Sequence, residues 1–264
     1  MKKLAKPRLR HHMPCQQIVI ALTCLLAAAA HADTVPIAVA SNFAEPARRI
    51  AAAFEAQTGH RVLLSTGATG KFYVQITNGA PFQVLLAADD TTPARLQAVG
   101  AAVADSHFTY AVGKLVLWSA QAGVVDADAA VLRSGGFAHL AIANPAVAPY
   151  GSAAVEAMQK LGVYAAIAPK LVRGDNIAQT QQFVLTGAAT LGFVAMSQVY
   201  QNGRLQSGSA WIVPQTLYRP IRQEAVLLSP GRNQPAALAF LRCLRGEAAR
   251  TIVAAFGYGT GTGN

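Results

Sequence analysis

Four turns hold most of the residues in this chain that could do chemistry: Ser41 and Asn42; Thr66 to Gly70 (TGATG); Pro149 to Ser152 (PYGS); and Gly174, Asp175 and Asn176. Each carries hydroxyl or amide side chains, and each leads towards a stretch with helical spacing. A strand–turn–helix unit leaves the first N–H groups of its helix without intrahelical acceptors and places the positive end of the helix dipole beside them. Such donors suit an anion. In the first unit, residues 37–40 form an apolar strand. Asn42 has N-cap chemistry, Glu45 stands three residues on as in a capping box, and Pro46 suits the first turn. Taken singly, Ser41, Asn42, Thr69 and Asp175 are just as readily ordinary helix caps. The recurrence of the pattern is what points to a site.

Other candidate chemistry is weaker. Gly67 to Lys71 departs from a phosphate loop, with two residues between its glycines instead of four and Phe72 after the lysine. Asp89 and Asp90 end an apolar run just before a helix, so capping explains them better than a metal or acid–base pair. Beyond residue 32, His60, His107 and His139 lack metal-ligand spacing, and there is no GxSxG motif. An exported hydrolase is therefore disfavoured. Cys243 sits on an apolar helix as a core residue, and the glycine-rich tail from Gly257 reads as a frayed end.

The elements that must position the turns alternate in type. Strands are expected at 37–40, 61–65, 84–88, 115–118, 139–143, 171–173, 191–196, 211–213 and 225–228. Helices are expected at 46–57, 71–77, 93–99, 153–161, 177–185 and 235–256, the last interrupted near Gly246. Ile50 and Phe54 share one face of the first helix, and Gly59 suits its C-terminal stop. Alternating strands and helices imply an α/β fold with parallel sheets. If the chain forms two lobes, the turns could face one another across a cleft.

Residues 1–32 read as a secretory signal. A basic start (Lys2, Lys3, Lys6, Arg8, Arg10) precedes an apolar stretch at 18–30 that is short for a membrane span, and Ala30-His31-Ala32 suits cleavage near Ala32. Five of the 22 basic residues and none of the 12 acidic ones lie in this leader, so its removal takes the net charge from +10 to +5. The remaining charges are scattered, with no basic run among aromatics, which argues against nucleic acid as a partner. Cys15 and Cys24 leave with the leader, so the mature chain has only Cys243 and no internal disulfide.

In order along the chain, ASNFAEPARRIAAAFEAQTGH, STGATGKFYVQITNGAPFQVLLAADD, NPAVAPYG and AAFGY resemble the periplasmic molybdate-binding proteins of ABC importers, over nearly all of residues 35–258. The resemblance implies a type II periplasmic binding protein, α/β, with two lobes that are each a mixed, mostly parallel sheet flanked by helices. Lobe I would take 33–112 and 220–264, and lobe II 113–219, with crossings near 110–114 and 218–222. It implies a non-catalytic, monomeric periplasmic receptor without a cofactor or directly bound metal, which hands molybdate or tungstate to a membrane permease. Carried over by position, the oxyanion ligands fall on Ser41, Asn42, Thr69, Tyr150 and the N–H of Ile177. Some members use a tyrosine at the position of Ala195, and others one on the third turn, where Tyr150 stands. Fully deprotonated molybdate offers only acceptors, so a site made only of donors suits it. A receptor for sulfate or phosphate is the alternative.

Overall fold

The first lobe is built outward from β1 (Thr34–Ala40), in which Val35, Ile37, Ala38 and Val39 are fully buried. An apolar run without polar alternation belongs in a sheet covered on both faces. In the computed structural model, which describes residues 32–259, β1 pairs in parallel with β2 (Arg61–Gly67) and β3 (Val84–Leu86). β4 (Phe108–Gly113) follows at the far edge. After Lys114 alone, β5 (Leu115–Ser119) belongs to a second sheet, with β6 (Leu140–Ala143), β7 (Leu171–Gly174) and β8 (Leu191–Ala195). β9 (Tyr200–Gln201) and β10 (Arg204–Leu205) form a small hairpin, and β11 (Ser209–Ile212) edges the second sheet. Residues 213–220 return the chain, and β12 (Ile221–Leu227) inserts between β3 and β4.

The two sheets repeat one plan. Their orders are β2-β1-β3-β12-β4 and β7-β6-β8-β5-β11. In each, four strands run one way, and the reversed strand, β12 or β5, adjoins a crossing. The crossings are bonded to each other, for the Leu115 N–H donates to the Tyr218 hydroxyl at 3.0 Å and the Val213 N–H to the Leu115 carbonyl at 3.0 Å.

Helices cover both faces of each sheet. Ala44–Thr58, Pro235–Arg245 and Glu247–Ala255 bury Ile50, Phe54, Phe240, Leu244 and Val253 against one face of the first sheet. Thr69–Thr77 and Thr91–Ala98 cover the other through Phe72, Ile76 and Leu96. In the second sheet Pro149–Lys160 packs Ala153, Ala157 and Met158 against Leu140, Ile142 and Phe193, while Ile177–Leu185 packs Val184 against Ala141 and Val194.

Several expectations need correction. The helix expected from 46 begins at Ala44, after a 3-10 turn over Ser41–Phe43, and Asn42 makes no capping bond. Glu45 pairs with Arg48 and Arg49 instead of closing a capping box. The helix expected from 153 begins at Pro149, which places Tyr150 in its first turn. β4 was not anticipated as a strand separate from β5. The tail is not frayed up to Gly259: Tyr258 is buried, and Gly259 exchanges two 2.9 Å backbone bonds with Val112. The leader expected over 1–32 lies outside the described residues but for Ala32, as do residues 260–264.

Gly151 sits where the Pro149–Lys160 helix meets the end of β6, and a Cβ there would overlap the Ala143 carbonyl oxygen. Overpacking of this kind costs about 1–3 kcal/mol. Gly151→Ala should lower the unfolding free energy by that amount in urea titrations, with an unchanged m-value.

Candidate functional site

The carboxyl ends of β1 and β2 point towards those of β6 and β7, and the turns beyond them close around one cavity. It is lined by Ala40, Ser41, Asn42, Gly67, Ala68, Thr69, Ala88, Ala148, Pro149, Tyr150 and Ile177, and its free volume is about 10 Å³. All five residues singled out from the sequence therefore meet at one place, drawn from both lobes. Ala195, at the end of β8, is not among the lining residues. Organic ligands ordinarily need about 300–1,000 Å³ and a single water about 10–15 Å³, so the cavity as it stands is far too tight for an organic molecule. No charged side chain lines it.

Local structure makes the pocket a set of donors. Asn176 caps the Ile177–Leu185 helix, its side-chain oxygen accepting from the N–H groups of Ala178 and Gln179 and leaving that of Ile177 unused. The Ala148 carbonyl takes the N–H groups of Gly151 and Ser152 and leaves that of Tyr150. Among the described residues, the N–H groups of Asn42, Thr69, Tyr150 and Ile177 have no backbone acceptor. They lie in first turns, where the dipole also favours negative charge.

The hydroxyls are set the same way. Thr69 Oγ1 accepts the Ala88 N–H at 3.0 Å, so its own hydrogen remains to be donated. Tyr150 is 2% exposed, and its oxygen accepts from Gln223 Nε2 at 3.2 Å. Ser41 Oγ has no partner among the described residues. Burial pushes the Tyr150 and Tyr110 phenols well above the usual tyrosine range, with smaller contributions from neighbouring ionisable groups, so both stay neutral donors.

Asn42 takes a different role from the one its sequence neighbourhood suggests. Both hydrogens of its amide are held inside the protein, by Gln223 Oε1 at 2.8 Å and the Tyr258 hydroxyl at 3.0 Å. Its carbonyl accepts from Ser197 Oγ and Tyr258, both at 2.8 Å. What Asn42 offers the pocket is its backbone N–H. Tyr110, Ser197, Gln223 and Tyr258 were missed by sequence reasoning. For Tyr258 a signal existed in the AAFGY motif, whereas Gln223 stands in a strand with nothing local to mark it.

The lobes also meet around the mouth. The Gly70 N–H donates to the Val147 carbonyl at 2.9 Å, and Lys71 pairs with Asp175 at 2.9 Å. Lys71 thus bridges to the turn that precedes the Ile177–Leu185 helix. Asp89 and Asp90 border a neighbouring groove. Asp89 accepts the Thr92 N–H at 2.8 Å, whereas Asp90, at the N-cap itself, makes no side-chain capping bond, so the capping expected of the pair falls to Asp89 alone. Among the described residues, no group of three or more His, Cys, Asp or Glu could hold a metal ion.

Residues 35–259 match the model of the bacterial extracellular solute-binding protein family. The molybdate-binding protein ModA of Azotobacter vinelandii is 57% identical over 244 residues, covering 92% of this chain and 97% of that protein. The ModA of Rhodobacter capsulatus is 51% identical over 241 residues, covering 91% and 94%. The chain belongs to the periplasmic molybdate-binding protein family. Its fold agrees: the solved Azotobacter vinelandii periplasmic molybdate-binding protein superposes with a TM-score of 0.83 at 38% identity, over 85% of this chain and 98% of that one. The sulfate-binding protein SubI of Mycobacterium tuberculosis, at 14% identity and a TM-score of 0.70 over 86% and 87% of the two chains, shares the fold alone. The two-lobed α/β architecture expected of a type II binding protein is the one observed.

The raised tyrosines set an alkaline limit on stability. Above about pH 10 the unfolded chain releases phenolic protons that the folded chain retains, so unfolding free energy falls by up to about 1.4 kcal/mol per pH unit for each such tyrosine. Urea titrations between pH 9 and 11 should show this decline, with a shallower slope for Tyr150→Phe.

Proposed function

We propose that this protein is an exported receptor that binds molybdate, and tungstate, in the interlobe pocket and delivers it to the permease of an ABC importer. The observation that carries the reading is a pocket lined by the hydroxyl-bearing residues Ser41, Thr69 and Tyr150 and by first-turn N–H groups, with no charged residue among its lining. A fully deprotonated tetrahedral dianion presents only acceptors to such a site. Phosphate at neutral pH carries at least one proton in all of its population, and that proton would face donors. Sulfate matches molybdate in charge and shape, so pocket size has to separate them. The molybdate-binding relatives at 51% and 57% identity favour molybdate over a sulfate or phosphate receptor.

The rest of the reading follows from this role. The leader is removed near Ala32 and the mature chain works in the periplasm as a monomer. It needs no cofactor, binds no nucleic acid and catalyses nothing; Ser41, Asn42, Thr69, Tyr150 and Ile177 contact the oxyanion. The lobes close by a hinge about Lys114 and residues 213–220, with Lys71–Asp175 and Gly70–Val147 meeting last.

Isothermal titration with molybdate, tungstate, sulfate and phosphate tests this. One-to-one binding of the first two and none of the others is expected. Preference for sulfate or phosphate, or no binding at all, would overturn it. A hydrogen bond to a charged ligand is worth about 1.5–3 kcal/mol, so Tyr150→Phe should raise the molybdate Kd roughly 10- to 150-fold.

Closure can be probed at the mouth. A Cβ on Gly70 would stand 2.9 Å from the Val147 Cα, so Gly70→Ala holds the lobes apart. It should weaken molybdate by about tenfold or more. Lys71→Ala removes only an exposed pair, worth up to about 1 kcal/mol, and should change the Kd by less than about fivefold.

A further inference from the structure

Gln223 is fully buried on β12, at the bulge where its pairing with β4 shifts register. It does not line the pocket. Its side chain joins two of the turns that do. Oε1 accepts from Asn42 Nδ2 at 2.8 Å, and the Tyr110 hydroxyl lies 3.1 Å from the same oxygen and 3.0 Å from the Ala87 carbonyl. Nε2 faces the other way and donates to the Tyr150 hydroxyl at 3.2 Å. Tyr150 belongs to the second lobe, whereas Asn42, Tyr110 and Gln223 belong to the first. One amide therefore spans the closed seam.

Gly113, the last residue of β4, shapes the same spot. A Cβ there would overlap the Tyr150 hydroxyl oxygen and come within 2.7 Å of Gln223 Nε2. The first lobe thus provides a seat for the phenol tip: a bare backbone on one side and a single amide donor on the other.

We infer that Gln223 is a positioning and specificity residue. By donating to the Tyr150 oxygen it leaves the Tyr150 side chain its phenol hydrogen, rather than that lone pair, to present to an oxyanion. This rests on the reading of Tyr150 as an oxyanion ligand. A phenol can either donate or accept; without Gln223 it could turn and accept from a protonated oxyanion. Gln223 therefore contributes discrimination against hydrogen phosphate as well as affinity for the dianion, while touching neither.

The test is a double-mutant cycle on molybdate binding, measured by titration calorimetry with the wild-type protein, Gln223→Met, Tyr150→Phe and the double variant. Gln223→Met should weaken molybdate by about fivefold or more. It should also raise the phosphate-to-molybdate affinity ratio, read from the phosphate concentration that displaces molybdate and insensitive to the fraction of folded protein. In the Tyr150→Phe background, Gln223→Met should cost clearly less than it does alone, because the Tyr150 oxygen is gone and only its bond to Asn42 is left to lose. Additive losses, or an unchanged phosphate ratio, would overturn the assignment and leave Gln223 as a core residue. A wild-type protein that fails to bind molybdate would instead overturn the receptor reading beneath it. If Gln223→Met does not fold, Gln223→Asn runs the same cycle, since it keeps an amide but draws it back by one carbon.

Discussion

A dianion held without any charged side chain must be met by donors that cannot turn round. A hydroxyl free to rotate presents lone pair or hydrogen with equal ease, and a mobile N–H is better satisfied by water. The pocket meets this demand by occupying the oxygens from behind: Ala88 N–H on Thr69, Gln223 on Tyr150. Its backbone donors are fixed by helix starts, at Thr69, Tyr150 and Ile177. Preorganisation of this kind places the cost of ordering donors in folding, before a ligand arrives.

The sheets exist in this arrangement to serve that convergence. In an open α/β sheet, ligands bind beyond the carboxyl ends of the strands, where the order reverses. Here two such sheets, β2-β1-β3 and β7-β6-β8 at their cores, turn those ends towards each other. A single sheet would surround the ion on one side only. The crossings, tied by Leu115, Val213 and Tyr218, hold the two halves in register.

How much of this could be read from residues alone follows from the range of the interactions. The strand–turn–helix units are local, so the turns bearing Ser41, Thr69, Tyr150 and Ile177 stood out in sequence, and one cavity gathers them. The cap suggested for Asn42 is absent, because its neighbours, Glu45 and Pro46, only imitate one, although Asn42 lines the cavity with the others. Its actual partners, Gln223 and Tyr258, lie 181 and 216 residues away, and they outweigh a local bond that would have left a buried amide unpaired. The tail was misread for the related reason that glycine-rich ends usually fray, whereas the Tyr258 hydroxyl bonds to the Asn42 carbonyl and to Ser197. Gln223 was invisible because nothing within a few residues explains a fully buried amide in that strand.

The insertion of β12 between β3 and β4 has a bearing on how the chain is made. A polypeptide emerges from a ribosome or a membrane pore N-terminus first. By the time β1 to β4 have appeared, the first sheet still lacks an interior strand, and β3 and β4 present unpaired edges that nothing yet made can cover. The second lobe, continuous from β5 to β11, can be completed earlier. The first must wait for Gln223 and then for Tyr258, almost the last residue described. The order of translocation thus runs opposite to the order of importance: the turn at Ser41 and Asn42 emerges early and is finished last.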